Sequence, residues 1–104
     1  MNMEYRAYIA IPTFPGADHD GAPWERLLDQ LNATTDMGPV ISGPHPDGRP
    51  GVEVILAADA DDEAGAARVM FDAVAHSLEA VGLGDHYPAS IKVERADADQ
   101  LVTA

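Results

Sequence analysis

Histidine and aspartate occur together in three turn-rich segments of this 104-residue sequence. The candidate metal or ligand residues are Asp18, His19, Asp20, His45, Asp47, Asp85 and His86. Imidazole nitrogens and carboxylate oxygens bind zinc, iron or manganese, and the same groups act as general acids and bases. If the three segments meet in the fold, these residues form a His/Asp rim suited to a divalent metal or a small ligand.

The spacing of the rim residues matches no catalytic motif. The sequence contains no H-E-x-x-H, no calcium-binding loop pattern and no G-x-S-x-G. Cysteine is absent, which excludes thiolate nucleophiles and thiolate metal sites. Loops are ordinarily polar, and Asp and His are tolerated in turns. We therefore assign no catalytic residue, expect no cofactor apart from a divalent metal at the rim, and expect a protein that is not an enzyme.

Trp24 and His76 are a further candidate pair. A cofactor-independent oxygenase could place a histidine and a tryptophan over a sheet. Trp24, however, lies at helical spacing with Leu27, Leu28 and Leu31, and a stripe of that kind is typical of a helix face packed in the core.

The hydrophobic pattern predicts four strands and two helices. Alternation predicts strands over 4–11, 37–42, 52–56 and 90–95, and the 37–42 strand is weaker because it contains Gly38 and Pro39. A first helix is predicted over 23–32. Asp59 or Asp61 is predicted to cap a second helix, which Gly82 and Gly84 end. Its predicted apolar stripe consists of Ala67, Met70, Phe71, Val74, Leu78 and Val81.

The order strand, helix, strand, strand, helix, strand predicts an α+β fold. We expect a ferredoxin-like βαββαβ sandwich, with a four-stranded antiparallel sheet backed by two helices. The crossover rule places the third strand between the first and second, so the three loops with rim residues leave the same end of the sheet. Residues 1–104 are predicted to form one domain, with 96–104 as a flexible acidic tail.

The charge of the chain limits its partners. Eighteen acidic and six basic residues give a formal net charge of −12, which disfavours binding to nucleic acid or to an anionic membrane. The sequence shows no signal peptide and no apolar run long enough to span a membrane, so we expect a cytoplasmic protein. The same charge would suit a protein partner with a basic surface, for which this chain could act as an acidic mimic.

The sheet face turned away from the helices, called the outer face below, is predicted to form a homodimer. Its apolar centre is predicted to consist of Tyr8, Ala10, Ile55 and Ala57, with either Val40 or Ile41. Charged residues surround this centre and could instead pair within their own sheet: Glu4, Arg6, Glu53, Lys92 and Glu94.

These patterns favour a small non-catalytic binding or regulatory protein that acts as a homodimer or accessory partner. One alternative is a small enzyme or a ligand or metal sensor that uses the His/Asp rim. The other alternative is the acidic mimic that binds a basic protein.

Overall fold

The computed structural model describes residues 3–13, 22–42 and 51–96. Their elements, in chain order, are β1 (Met3–Ile11), α1 (Ala22–Thr34), β2 (Val40–Ser42), β3 (Val52–Ala60), α2 (Glu63–Ala80) and β4 (Ser90–Arg95). No helix in the described part of the chain is long and apolar enough to cross a membrane.

The four strands form one open sheet in the order β2-β3-β1-β4, and every neighbouring pair is antiparallel. Together with the two helices, this sheet confirms the predicted α+β class. At the centre of the sheet, Ile9 of β1 lies opposite Val54 of β3 and Ile91 of β4. The register therefore aligns apolar residues of adjacent strands on one face.

That face carries the hydrophobic core. Every second residue of β1 from Tyr5 to Ile11 is buried, as are Val52, Val54 and Leu56 of β3. The helices contribute the other side of the same core, with fully or almost fully buried side chains at Leu27, Leu31, Met70, Val74 and Leu78. Burial of one such side chain contributes about 1.5–3 kcal/mol of transfer free energy. Because residues of both helices belong to this one core, both helices pack on the same side of the sheet.

The start of α2 differs from the prediction. The N-cap is Asp62, whose Oδ1 accepts a hydrogen bond from the Gly65 N–H at 2.7 Å. Asp59 lies in β3 opposite Glu4 because that strand continues to Ala60. Asp61 precedes the cap. The longer strand thus moves the start of the helix beyond both predicted caps.

The end of α2 agrees with the prediction for Gly82. This glycine has φ +80°, in the left-handed region. The Leu83 N–H donates to the Leu78 carbonyl at 2.7 Å, and the Gly82 N–H donates to the Glu79 carbonyl at 3.1 Å. These two bonds are those of a Schellman motif, which satisfies carbonyls left open in the last turn.

Strand β2 begins at Val40 and is shorter than the predicted strand over 37–42. Gly38 has φ +61°, and Pro39 has no N–H to donate. The Met37 carbonyl still accepts a hydrogen bond from the Ala57 N–H at 2.9 Å. The chain therefore follows the sheet edge before regular pairing starts.

Hydrogen bonding between the chain and β1 continues for one residue beyond the end of β4. Ala96 is buried, and its N–H donates to the Glu4 carbonyl at 3.0 Å. The rest of the predicted tail, 97–104, lies outside the described residues.

Candidate functional site

The bases of the three rim loops adjoin at one end of the sheet. Gly51, which precedes β3, packs so closely on the end of β1 that an added Cβ would lie 2.8 Å from the carbonyl oxygens of Ile11 and Pro12. Thr13 Oγ1 and His86 Nδ1 are 3.4 Å apart and connect the residues after β1 to the turn before β4. These contacts place the three chain segments side by side where they meet the sheet.

Two of the seven rim residues belong to the described part of the chain. Asp85 is exposed, and His86 is half-buried beside Thr13. The other five lie outside the described residues: Asp18, His19, Asp20, His45 and Asp47. Within 3–13, 22–42 and 51–96, no three His, Asp or Glu side chains are arranged to hold a metal ion. The rim as a whole remains a prediction.

His86 lines a pocket of about 180 Å³ between the C-terminal half of α2 and the turn before β4. We call it the α2 pocket. His76 and Glu79 of α2 and Tyr87 of the turn contribute its other polar groups. The sequence interpretation gave neither His76 nor Glu79 a role in the rim. Their spacing of three residues, which places both on one helix face, was the signal that could have grouped them.

Backbone hydrogen bonds hold the α2 pocket on two sides. The Schellman motif joins the turn to the end of α2, and the His86 N–H donates to the Leu83 carbonyl at 3.0 Å. On the other side, the Ala89 N–H donates to the Ala10 carbonyl at 2.8 Å. The pocket is thus built between two elements whose relative position is set by the core and the sheet.

A wider groove of about 540 Å³ runs between the C-terminal end of α1 and α2, and His76 lines it as well. Trp24 lines neither this groove nor the α2 pocket. Instead, Trp24 is half-buried and packs against the core. The candidate pair Trp24 and His76 therefore shares neither the α2 pocket nor this groove.

The outer face carries a row of side chains that crosses all four strands. The register aligns Val40, Ile55, Tyr8 and Lys92 in this row. Val40 is 55% exposed, whereas Ile41 packs against the core, so Val40 is the β2 residue on the outer face. Ala10 and Ala57 are half-buried on either side of the row.

Polar contacts within the outer face centre on Tyr8 and Glu94. The Tyr8 hydroxyl donates to Glu94 Oε1 at 3.1 Å, and Arg6 Nη1 lies 3.9 Å from the same oxygen. Lys92 Nζ lies 5.9 Å from the centre of the Tyr8 ring, within the distance of a cation–π contact. Charged residues of this face therefore do pair within their own sheet, around an apolar strip.

Comparison with protein-family models and with curated proteins found no match to this chain.

Proposed function

We propose that this chain is a non-catalytic binding protein that acts as a cytoplasmic homodimer, in which the outer face of a ferredoxin-like sheet pairs with the same face of a second copy. The strand order β2-β3-β1-β4 and the alternation of strands and helices support the ferredoxin-like assignment. Because this fold serves many unrelated functions, the dimer is argued from the outer face and not from the fold.

The apolar row on the outer face is the observation that carries the proposal. Val40, Ile55 and Tyr8 lie side by side on three neighbouring strands. Both described helices pack on the opposite side of the sheet, and Val40 is 55% exposed. A sheet face that no other element covers is normally polar. Apolar side chains on an uncovered face are therefore typical of an interface.

The distribution of charge favours a second copy as the occupant. The outer face holds two basic residues, Arg6 and Lys92, and four acidic ones, Glu4, Glu53, Asp59 and Glu94, which leaves a formal charge of −2 out of −12 for the chain. Two strongly acidic molecules approach each other with least repulsion through their least charged faces.

A two-fold axis parallel to the strands, between β1 and β3, would make the contact self-complementary. This axis places the β1 and β4 half of one copy, where Arg6 and Lys92 balance Glu4 and Glu94, over the β2 and β3 half of the other, which carries Glu53 and Asp59. Four strands of this length cover roughly 500 Å² in projection, at the weak end of dimer interfaces. We therefore expect a dissociation constant for the dimer in the micromolar range.

Analytical ultracentrifugation over a dilution series tests the dimer. We expect the native chain to sediment as a dimer at about 100 µM and to dissociate on dilution. The double variant Tyr8→Glu with Ile55→Glu places two charges in the apolar row, and we expect it to be monomeric throughout. Val69→Glu is the control, because it adds one negative charge at an exposed apolar residue of α2, on the side of the sheet opposite the outer face.

Circular dichroism of each variant verifies that it is folded. A monomer at 100 µM, or a folded double variant with the dimer mass of the native chain, would contradict the proposed interface. Loss of the dimer in the Val69→Glu control would contradict it too.

The adjoining loop bases support a second candidate function, a metal sensor that uses the His/Asp rim. For this candidate we expect zinc or manganese to copurify when no chelator is used. His45→Ala should weaken zinc binding about tenfold or more, since removal of a ligand costs at least one coordinate bond. Glu63→Gln, which removes a carboxylate at the start of α2 and not in the rim, is the control. Metal-free protein with equal zinc affinity in both variants would exclude this candidate.

A further inference from the structure

We propose that the α2 pocket binds a small organic cation, an ammonium group with a short alkyl part. This inference is independent of the homodimer. Its basis is the set of groups that line the pocket, together with the position of the pocket at the end of α2.

Electrostatics favours a cation there. Glu79 lines the pocket, Asp85 lies in the adjoining turn, and none of the described lining residues is Lys or Arg. The pocket also lies against the last turns of α2, which contain no basic residue. The C-terminal end of a helix is the negative end of its dipole, and cations are stabilised beside it. An anion at this place would meet the helix end, Glu79 and the field of a chain with a net charge of −12.

Aromatic and apolar groups favour an organic cation over an inorganic one. Tyr87 is 69% exposed and lines the pocket with its neighbour His86. The face of an aromatic ring attracts an ammonium group. Leu78 and Pro88 supply apolar wall for alkyl carbons. The volume of about 180 Å³ is close to that of a cavity of about 150 Å³ that holds benzene, so the ligand has about six non-hydrogen atoms.

The position of Glu79 depends on Gly84. A Cβ at residue 84 would lie 3.3 Å from Glu79 Cγ, so the side-chain stem of Glu79 packs directly over this glycine. The hydrogen bonds of the Schellman motif fix the same turn to α2. The Glu79 carboxylate is therefore carried by α2, and the ring of Tyr87 by a turn that hydrogen bonds hold against this helix, so binding requires little further loss of chain entropy.

Titration with n-butylammonium chloride, followed by two-dimensional NMR of backbone amides, tests the site. The titration is run at pH 8 and in 0.15 M salt, which screens binding to the general acidic surface. We expect saturable shifts confined to residues around His76, Glu79, His86 and Tyr87, with a Kd of roughly 1–10 mM for so small a ligand. 1-Butanol and sodium butyrate, which have nearly the same shape, should bind at least tenfold more weakly.

Two variants test whether the Glu79 carboxylate and the Tyr87 ring contact the ligand. Glu79→Gln should weaken n-butylammonium binding about tenfold, and Tyr87→Leu about threefold. Glu63→Gln is the control, because it removes the same charge from the other end of α2, and its affinity should stay within twofold of the native value. Equal binding of 1-butanol, shifts that do not saturate, or an unchanged affinity in folded Glu79→Gln would each overturn the proposal. Tighter binding of butyrate would assign the pocket to anions and overturn it as well.

Discussion

Gly51 shows how one residue controls the end of the sheet where the loop bases meet. Its φ is +113°, and an added Cβ would lie 2.8–2.9 Å from backbone atoms of Ile11 and Pro12. Residues with a side chain rarely adopt this backbone conformation. The neighbouring atoms belong to the main chain, so they cannot rotate away from an added Cβ. Glycine is therefore required here for two separate reasons.

We predict that Gly51→Ala lowers the free energy of unfolding by roughly 3 kcal/mol or more. Gly38→Ala is the matched comparison, because Gly38 has φ +61° and no atom within 4 Å of an added Cβ. That substitution should cost about 1 kcal/mol, the usual penalty for a left-handed residue. Urea unfolding measures both values. Equal losses would show that the close approach to β1 contributes nothing.

At the scale of elements, a side-chain hydrogen bond of Asp62 marks the start of α2 after β3. Asp62 has an extended backbone, with φ −151° and ψ 172°, and its carboxylate accepts from Gly65. Three aspartates lie within four residues at this junction, Asp59, Asp61 and Asp62. The composition favours a cap here but does not say which residue provides it.

We predict that Asp62→Ala destabilises the protein by about 1 kcal/mol through loss of the N-cap. Asp61→Ala removes the same charge from the same end of the helix without touching that bond, so its cost should stay within about 0.5 kcal/mol. Thermal unfolding of the two variants gives the comparison. If Asp61→Ala destabilises the protein as much as Asp62→Ala does, the negative charge at the helix start and not the capping hydrogen bond stabilises α2.

For the whole molecule, the dominant property is its uneven charge. The outer face carries −2, while the described helices and turns hold most of the other acidic residues: Glu25, Asp29, Asp36, Asp61, Asp62, Glu63, Asp72, Glu79 and Asp85. Arg26 and Arg68 are the basic residues of α1 and α2. A partner with a basic surface, still a prediction, would therefore meet the helical side.

We predict that salt stabilises the monomer by screening this repulsion. The melting temperature of the Tyr8→Glu, Ile55→Glu variant should rise by several degrees between 10 and 200 mM NaCl, and KCl should give the same rise. The use of a monomeric variant separates this effect from dimer formation. A melting temperature that is flat below 200 mM would contradict the prediction.

The amino-acid sequence determined the buried faces of the strands and most of each helix. Alternation in β1 and the spacing of Leu27 and Leu31 depend on local geometry, so they can be read without knowledge of the fold. Gly82 also identified a helix end, because its left-handed conformation is a local requirement.

Tertiary structure alone decided which residues meet. Val40 and not Ile41 faces outward, since the register of β2 on β3 sets the face and a shift of one residue reverses it. His76 joins His86 in the α2 pocket because the Schellman motif folds the turn back onto α2. Residues distant in sequence share a site only through such packing, which periodicity does not encode.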